Sequence, residues 1–277
     1  MDEAGGLKRM STITNISFRA LLVAGVFALA LTALFMRAAA PGITFALESD
    51  LNLTIGSNAF RNGIPVPGST WTLKDLVPGT DKFFNLANVM PGDSGKATIS
   101  MHVESRQSGA WLCLDFSSLQ SDDNGVNEPE EDADPNGAAS GELANEMEFF
   151  AWRDDGDDDF EAGEAPLFDG PQSASEALNE KTYAVADALS GSPVETGGTR
   201  AIGIAWCAGN LEVNLGTAQL SCDAGALGNE AQTDSLSVDV SIRAALEREQ
   251  PTFTCSGEVV DGRGRPERPE RPERPTR

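Results

Sequence analysis

Side chains of two kinds alternate along three segments in the middle of the chain. Apolar and polar residues alternate without a break at 96–104 and 236–243, and at 201–207 large apolar residues alternate with the small residues Ala201, Gly203 and Ala205. A period of two places successive side chains on opposite faces of a strand. The three segments therefore predict strands that bury one face.

Three further segments have the composition of strands. Residues 110–116 are apolar on both faces apart from Asp115, which is typical of a central strand that is covered on both sides. Residues 43–47 and 51–55 are shorter and predict two strands near the start of the mature chain.

Helical patterns are few. Residues 140–150 carry apolar side chains at helical spacing behind Ser140, a plausible N-cap, and residues 172–178 could form a second short helix. The pattern predicts an all-β protein, a jelly-roll-like antiparallel β-sandwich with short helices inserted in loops, over residues 41–257.

The amino terminus has the three parts of a secretion signal. Basic residues precede an apolar run at residues 20–35, and small residues follow at 38–40. As a helix this run spans about 24 Å, which is shorter than the ~30 Å hydrocarbon core of a bilayer. We interpret residues 1–40 as a signal peptide. The candidate cleavage sites follow Ala40 and Ala46. An uncleaved membrane anchor is the alternative to a signal peptide.

Export would make disulfide bonds the expected state of the four cysteines. They are Cys113, Cys207, Cys222 and Cys255, and no two have the C-x-x-C spacing of a zinc ribbon or a thioredoxin-type site. Three pairings are open. We favour Cys207 with Cys222, which closes a local loop, and Cys113 with Cys255.

The formal net charge is −23 and the isoelectric point is about 4.2. A surface this acidic repels phosphate backbones, which argues against nucleic acid as a partner. It suits cation binding, high salt or a solvated extracellular surface. The carboxy-terminal residues 258–277 differ, because they repeat Arg-Pro-Glu. Frequent prolines predict a disordered, extended tail that acts as a polymer-binding spacer or as an inert linker.

Two acidic loops interrupt the strand pattern, at residues 122–135 and 154–164. In the second loop, alternate carboxylates could converge on one hard cation such as calcium. The candidate ligands are Asp155, Asp157, Asp159, Glu161 and Glu164. Phe160 and Pro166 stand where an EF-hand has Gly and Glu, so the loop is not an EF-hand. A solvated acidic loop is the alternative.

A set of short motifs resembles the TasA/camelysin family of biofilm matrix proteins, which are exported with a dedicated signal peptidase. The motifs are FFNL at residues 83–86, NVMPGDSG at 88–95, the strand at 96–104 with AWLCLD at 110–115, FFAW with DDGD at 149–157, and QTDS at 232–235. The resemblance covers residues 41–255 and leaves out the tail.

The resemblance implies a jelly-roll sandwich and fibres in which an N-terminal strand of one subunit completes a sheet of the next. Residues 41–55 are the candidate donor strand, because they follow the predicted signal and would be free after cleavage. Its apolar residues are Ile43, Phe45, Leu47, Leu51, Leu53 and Ile55. Pairing of this strand within its own domain is the alternative.

Catalytic motifs have little support. Family members of the camelysin type are classed as metallopeptidases, but H-E-x-x-H needs two histidines and this chain has one, His102, on the polar face of a predicted strand. A Ser-His-Asp triad would depend on the same residue. A carboxylate pair of the glycosidase type is a weak signal among 43 acidic residues.

The leading hypothesis is a secreted structural subunit of an extracellular fibre whose partners are copies of itself, and not an enzyme. Cell-surface or matrix polymers are further candidate partners. The second hypothesis is a monomeric, calcium-dependent adhesin or binding module at the cell surface. The third is a secreted hydrolase.

Overall fold

The computed structural model describes residues 50–77, 80–123, 132–133, 141–231 and 234–258. The predicted signal peptide, the candidate donor residues Ile43, Phe45 and Leu47, and the Arg-Pro-Glu tail after residue 258 lie outside the described residues. The predictions for those segments therefore stay predictions.

The described chain is built from strands joined by short helices and turns. The strands are β1 (Leu51–Arg61), β2 (Ile64–Pro65), β3 (Trp71–Lys74), β4 (Asn85–Leu86), β5 (Ser94–Ser105), β6 (Ala110–Asp122), β7 (Met147–Asp154), β8 (Gln172–Ser173), β9 (Lys181–Ala186), β10 (Thr199–Ala208), β11 (Asn210–Asn214), β12 (Gln219–Asp223) and β13 (Ser235–Leu246). The α-helices are α1 (Leu143–Glu146) and α2 (Ala174–Ala177), and 3-10 turns cover Pro67–Ser69, Ala224–Ala226 and Asn229–Ala231.

Two sheets form the sandwich. Sheet A has the order β2-β1-β5-β10-β7-β8, with β3 also paired to β1, and sheet B has the order β4-β13-β6-β9. The hairpin β11–β12 forms a third, two-stranded sheet. The pairings between these strands are antiparallel. The predicted all-β antiparallel sandwich with short helices in its loops is confirmed.

The core lies between the inner faces of the two sheets, as the alternation predicts. In β5 the four apolar residues from Ala97 to Val103 are buried, and in β13 Leu236, Val238 and Ile242 are buried. The predicted strand at residues 110–116 is the first part of β6, which lies between β13 and β9. The main apolar contribution to folding therefore comes from these paired inner faces.

The helix predicted at residues 140–150 is wrong over its second half. A single helical turn, α1, ends at Glu146, and Met147 begins strand β7, which pairs with β10 along eight residues. Strand β7 buries side chains on both faces, so its sequence lacks the alternation that marks a half-buried strand. The second predicted helix is present as α2, where Ser173 forms the N-cap with Glu176 in a capping box.

The two disulfides have the favoured pairing. Cys207 bonds Cys222 and fastens the hairpin β11–β12 to sheet A, and Cys113 bonds Cys255 and fastens the carboxy-terminal segment to β6. The sequence separations are 15 and 142 residues. The longer loop removes more conformational freedom from the unfolded chain.

Candidate functional site

A second, smaller apolar cluster covers the outer face of sheet A. Phe150, Trp152 and Phe160 pack there against Ala205 of β10 and Leu211 of the hairpin. Phe160 belongs to the acidic loop, so the loop is anchored through its one aromatic residue. This packing explains why a segment with so many carboxylates keeps a defined fold.

Asp154 begins the acidic loop from a buried position at the end of β7. Its Oδ2 accepts the indole N–H of Trp152 at 3.1 Å, and its Oδ1 accepts the backbone N–H of Gly156 at 2.7 Å. Burial raises the pKa of Asp154 above its ordinary value, although these hydrogen bonds act in the other direction.

The acidic loop brings most of the predicted ligands together. Oxygen atoms of Asp155, Glu161 and Glu164 lie within 4.8 Å of one another, and those of Asp154, Asp155 and Asp157 form an overlapping group. Glu164 closes the loop, because it accepts the backbone N–H groups of Asp155 at 3.1 Å and of Glu161 at 2.8 Å.

Asp159 lies outside both groups, and the prediction that it is a ligand stays a prediction. Its carboxylate forms an ion pair with Lys96 of β5, two strands away from β7 in sheet A. Its backbone N–H donates to Asp157 at 2.9 Å instead. Asp154, which is not among the predicted ligands, belongs to the cluster because it is both the last residue of β7 and the first residue of the acidic loop.

Like charges dominate the electrostatics of this cluster. The negative charges of Asp157 and Asp155 raise the pKa of Glu161, and burial raises the pKa of Glu164. The group offers only hard oxygen donors, the type that calcium prefers. The residues fit a calcium ion chemically, although both oxygens of Glu164 already accept backbone hydrogen bonds.

The structure corrects the second half of the candidate donor strand. Leu51, Leu53 and Ile55 lie in β1, which pairs with β5 of the same chain along its whole length. For these three residues the alternative, pairing within the domain, is what the structure has. The hydrophobic run at 51–55 was too short to reveal that β1 continues to Arg61.

Along part of one edge, strand β13 has no partner among the described strands. Strand β6 covers one side along nearly its full length, but β4 pairs with the other side only at Leu236 and Ser237. From Asp239 to Leu246 no described strand lies on that side. Val240 and Ala244 pack on the core from this edge and stay only partly buried.

The opposite edge of sheet B is covered differently. Arg153 of β7 donates its guanidinium N–H groups to the carbonyl oxygens of Ala184 and Val185 in β9. In sheet A, the edge of β7 that lies away from β10 pairs with β8 and with residues 165–167. Coverage of this kind prevents an edge from pairing with a strand of another chain. The edge of β13 lacks such coverage from a described strand.

The start of β1 and the end of β13 lie at the same end of the sandwich. Leu51 pairs with Ser105 at the end of β5, and a short turn then leads into β6, whose first residue, Ala110, pairs with Leu246. Leu51 and Leu246 are therefore at the same end of the two sheets.

His102 lies on the outer face of sheet A, as predicted for a polar strand position. Its Nδ1 is 2.9 Å from the hydroxyl of Thr199, and its Nε2 is 3.7 Å from the carboxylate of Glu104. The arrangement is a surface cross-strand contact on an exposed sheet.

A cavity of about 450 Å³ lies between the hairpin β11–β12 and sheet A. Its lining is mostly apolar and includes Phe60, Ala205, Leu211 and Leu220, with Lys96 at the border. The Cys207–Cys222 bond holds the hairpin wall of this cavity in place.

No protein-family model matches the sequence, and no curated protein matches it significantly. The resemblance to the TasA/camelysin family therefore stays a prediction. No helix of the described residues is long and apolar enough to span a bilayer. Two disulfides are compatible with an exported protein.

Proposed function

We propose that the protein is an exported structural subunit of an extracellular fibre, assembled by addition of a strand to β13. The observation that carries the proposal is the edge of β13 between Asp239 and Leu246, which no described strand covers. An exposed edge of this length is a template for pairing with another chain.

The apolar residues beside the edge favour strand addition over a solvated edge. Val240 and Ala244 face the core yet remain partly exposed, whereas Ile242 between them is buried. An added strand would supply main-chain hydrogen bonds to β13 and would cover these two side chains. Burial of apolar surface contributes roughly 25 cal/mol per Å².

The donor in this proposal is the segment that precedes β1, residues 41–50, from a second copy. Residues 51–55 are excluded as donors, because β1 already uses its inner edge to pair with β5. Ile43, Phe45 and Leu47 stand at alternate positions, so one face of an added strand would carry all three. Their spacing matches that of Val240, Ile242 and Ala244.

Charge sets the conditions for assembly. Copies of this strongly acidic chain repel one another, and salt or divalent cations screen this repulsion. Calcium at the acidic loop would lower the charge and hold Glu161 and Glu164 together. In this proposal calcium is a stabilising ion and takes no part in strand exchange.

A calcium-dependent adhesin is the second candidate function. The observation that favours it is the acidic cluster itself, which sits on its own apolar support outside the main core. The two functions predict different effects of changes in residues 41–49. Fibre assembly depends on these residues, whereas an adhesin of this kind needs no residue before Asp50 for its fold or its binding.

Electron microscopy of purified mature protein tests the proposal. Protein that begins at Pro41 is compared with its Phe45→Asp variant and with a Thr44→Asp control, which adds the same charge on the opposite face of the proposed strand. We expect fibres from the parent and the control, and single particles from Phe45→Asp. Single particles from all three, in calcium and at high salt, would contradict the proposal and favour the adhesin.

A further inference from the structure

We propose that Asn52 carries an N-linked glycan. Asn52, Leu53 and Thr54 form the acceptor pattern Asn-x-Ser/Thr, with a residue other than proline in the middle. Within the residues that the structure describes, no other asparagine has Ser or Thr two positions later.

Strand geometry places both polar residues of the triplet on the same side. Leu53 is 6% exposed and faces the core, so Asn52 and Thr54 project from the outer face of sheet A. Asn52 is exposed, and its cross-strand neighbour is the exposed Glu104. A bulky polar group on Asn52 would extend into solvent without disturbing the core.

The side-chain amide of Asn52 makes no hydrogen bond to the described residues, unlike two other asparagines of this region. Asn58 donates to Asp158 at 2.6 Å, and Asn62 donates to Asp93 at 2.6 Å. The amide of Asn52 is therefore available for reaction without loss of a contact.

The backbone around the triplet is held from one side. Strand β5 pairs with residues 51–54, but the pairing of β3 with the other side of β1 begins only at Ile55. A segment that is extended and paired along one edge can be presented to an enzyme more readily than one in the centre of a sheet.

The chemistry is a glycosyl transfer from a lipid-phosphate-linked saccharide. The amide nitrogen of Asn52 attacks the anomeric carbon, a C–N bond forms, and the C–O bond to the lipid phosphate breaks. The lipid phosphate leaves with the electron pair of that bond, and the amide nitrogen gives up one proton. No oxidation or reduction occurs.

The inference needs export but does not need fibre assembly. The proposed donor segment ends two residues before Asn52, so the glycan would stand where the chain enters the sandwich. It would lie on the outer face of sheet A, and the uncovered edge belongs to β13 of sheet B. Modification and strand addition are therefore compatible.

Mass spectrometry of protein isolated from its natural source tests the inference. No lysine or arginine lies between Arg37 and Arg61, so trypsin releases Asn52 in one peptide that also contains the mature amino terminus. We expect a peptide heavier by a saccharide, with the added mass assigned to Asn52 by fragmentation. An unmodified peptide, whether its amino terminus is processed or not, would overturn the inference.

Four variants expressed in the same source complete the test. Asn52→Gln and Thr54→Ala should lose the added mass, whereas Thr54→Ser should keep it because serine preserves the acceptor pattern. Asn58→Gln is the matched control and should keep it as well. Retention of the mass in Thr54→Ala would contradict N-linkage. An unmodified natural peptide together with fibre formation would overturn this inference and leave the proposed function standing.

Discussion

The indole ring of Trp152 occupies the space above Gly203 that any larger residue would fill. The two residues are direct partners in the pairing of β7 with β10, and a Cβ added at Gly203 would overlap the indole. Trp152 in turn holds Asp154 and contacts Phe160. The position of the acidic loop therefore depends on Gly203 in the adjacent strand, β10, having no side chain.

Gly203→Ala should destabilise the protein by about 1–3 kcal/mol, because overpacking forces the indole out of place. Urea unfolding followed by tryptophan fluorescence measures this change. Gly68→Ala is the control, since a Cβ at Gly68 meets nothing within 4 Å, and its effect should be small. Equal stability of the two variants would contradict the packing relationship.

Without divalent cations, the contribution of the acidic cluster to stability should fall as the pH rises through the acidic range. The folded-state pKa values of Asp154, Glu161 and Glu164 are raised, so each group favours the folded state when protonated. That contribution is complete below the ordinary values of 3.8 and 4.5 and is lost as the pH rises through the raised values.

Glu161→Gln isolates the loop from the other carboxylates. The variant should have a higher melting temperature than the parent at neutral pH and a weaker dependence on pH. Glu180→Gln, outside the cluster, is the control. Asp187 opposes the trend: burial acts to raise its pKa, but hydrogen bonds from Ser190, Leu189 and Cys255 lower it, so its contribution is lost as the pH falls.

Calcium should raise the melting temperature, and a chelator should reverse the increase. A ligand that binds only the folded state stabilises it by about 2.7 kcal/mol at a hundred times its dissociation constant. Asp155→Asn should abolish the response, because Asp155 belongs to both carboxylate groups. Asp159→Asn should retain it, since that carboxylate pairs with Lys96. Loss of the response in both variants would favour the original ligand set.

Removal of the Cys207–Cys222 bond should free the hairpin and leave the sandwich intact. The paired change to alanine opens a loop with a sequence separation of 15 residues, worth about 3 kcal/mol in the chain-entropy model. Hydrogen exchange should accelerate over residues 210–223. The same change at Cys113 and Cys255 is the comparison, and fast exchange confined to the hairpin in that variant would contradict the assignment.

The sequence predicts the strands well where one face is buried and the other is solvated. Strand β10 is buried on both faces from Ala201 onward, although large and small residues alternate along it, and strands β5 and β13 satisfy that condition. Strand β7 does not, because the second apolar cluster covers its outer face and removes the alternation. The error at residues 147–150 therefore comes from a tertiary contact, which the local pattern does not contain.

The candidate ligands show the same limit, because a local pattern reveals neighbouring residues and misses distant contacts. The spacing of the carboxylates identified the loop, and Asp155, Asp157, Glu161 and Glu164 do come together in overlapping groups. Asp159 lies apart from these groups because its carboxylate pairs with Lys96, which is 63 residues away in the chain. The uncovered edge of β13 is a property of the strand order in sheet B, so the residues of β13 alone do not predict it.

The bond between Cys113 and Cys255 has a mechanical consequence. Cys255 follows β13, so tension on the chain beyond it would otherwise peel that strand from the sheet, one hydrogen bond after another. The covalent link instead passes the tension to β6, which is flanked by β13 and β9. A strand that is pulled along its length within a sheet must break many hydrogen bonds at once, whereas a strand that is peeled breaks them one by one. Because of the disulfide, the carboxy terminus is therefore a mechanically strong point for attaching a tether.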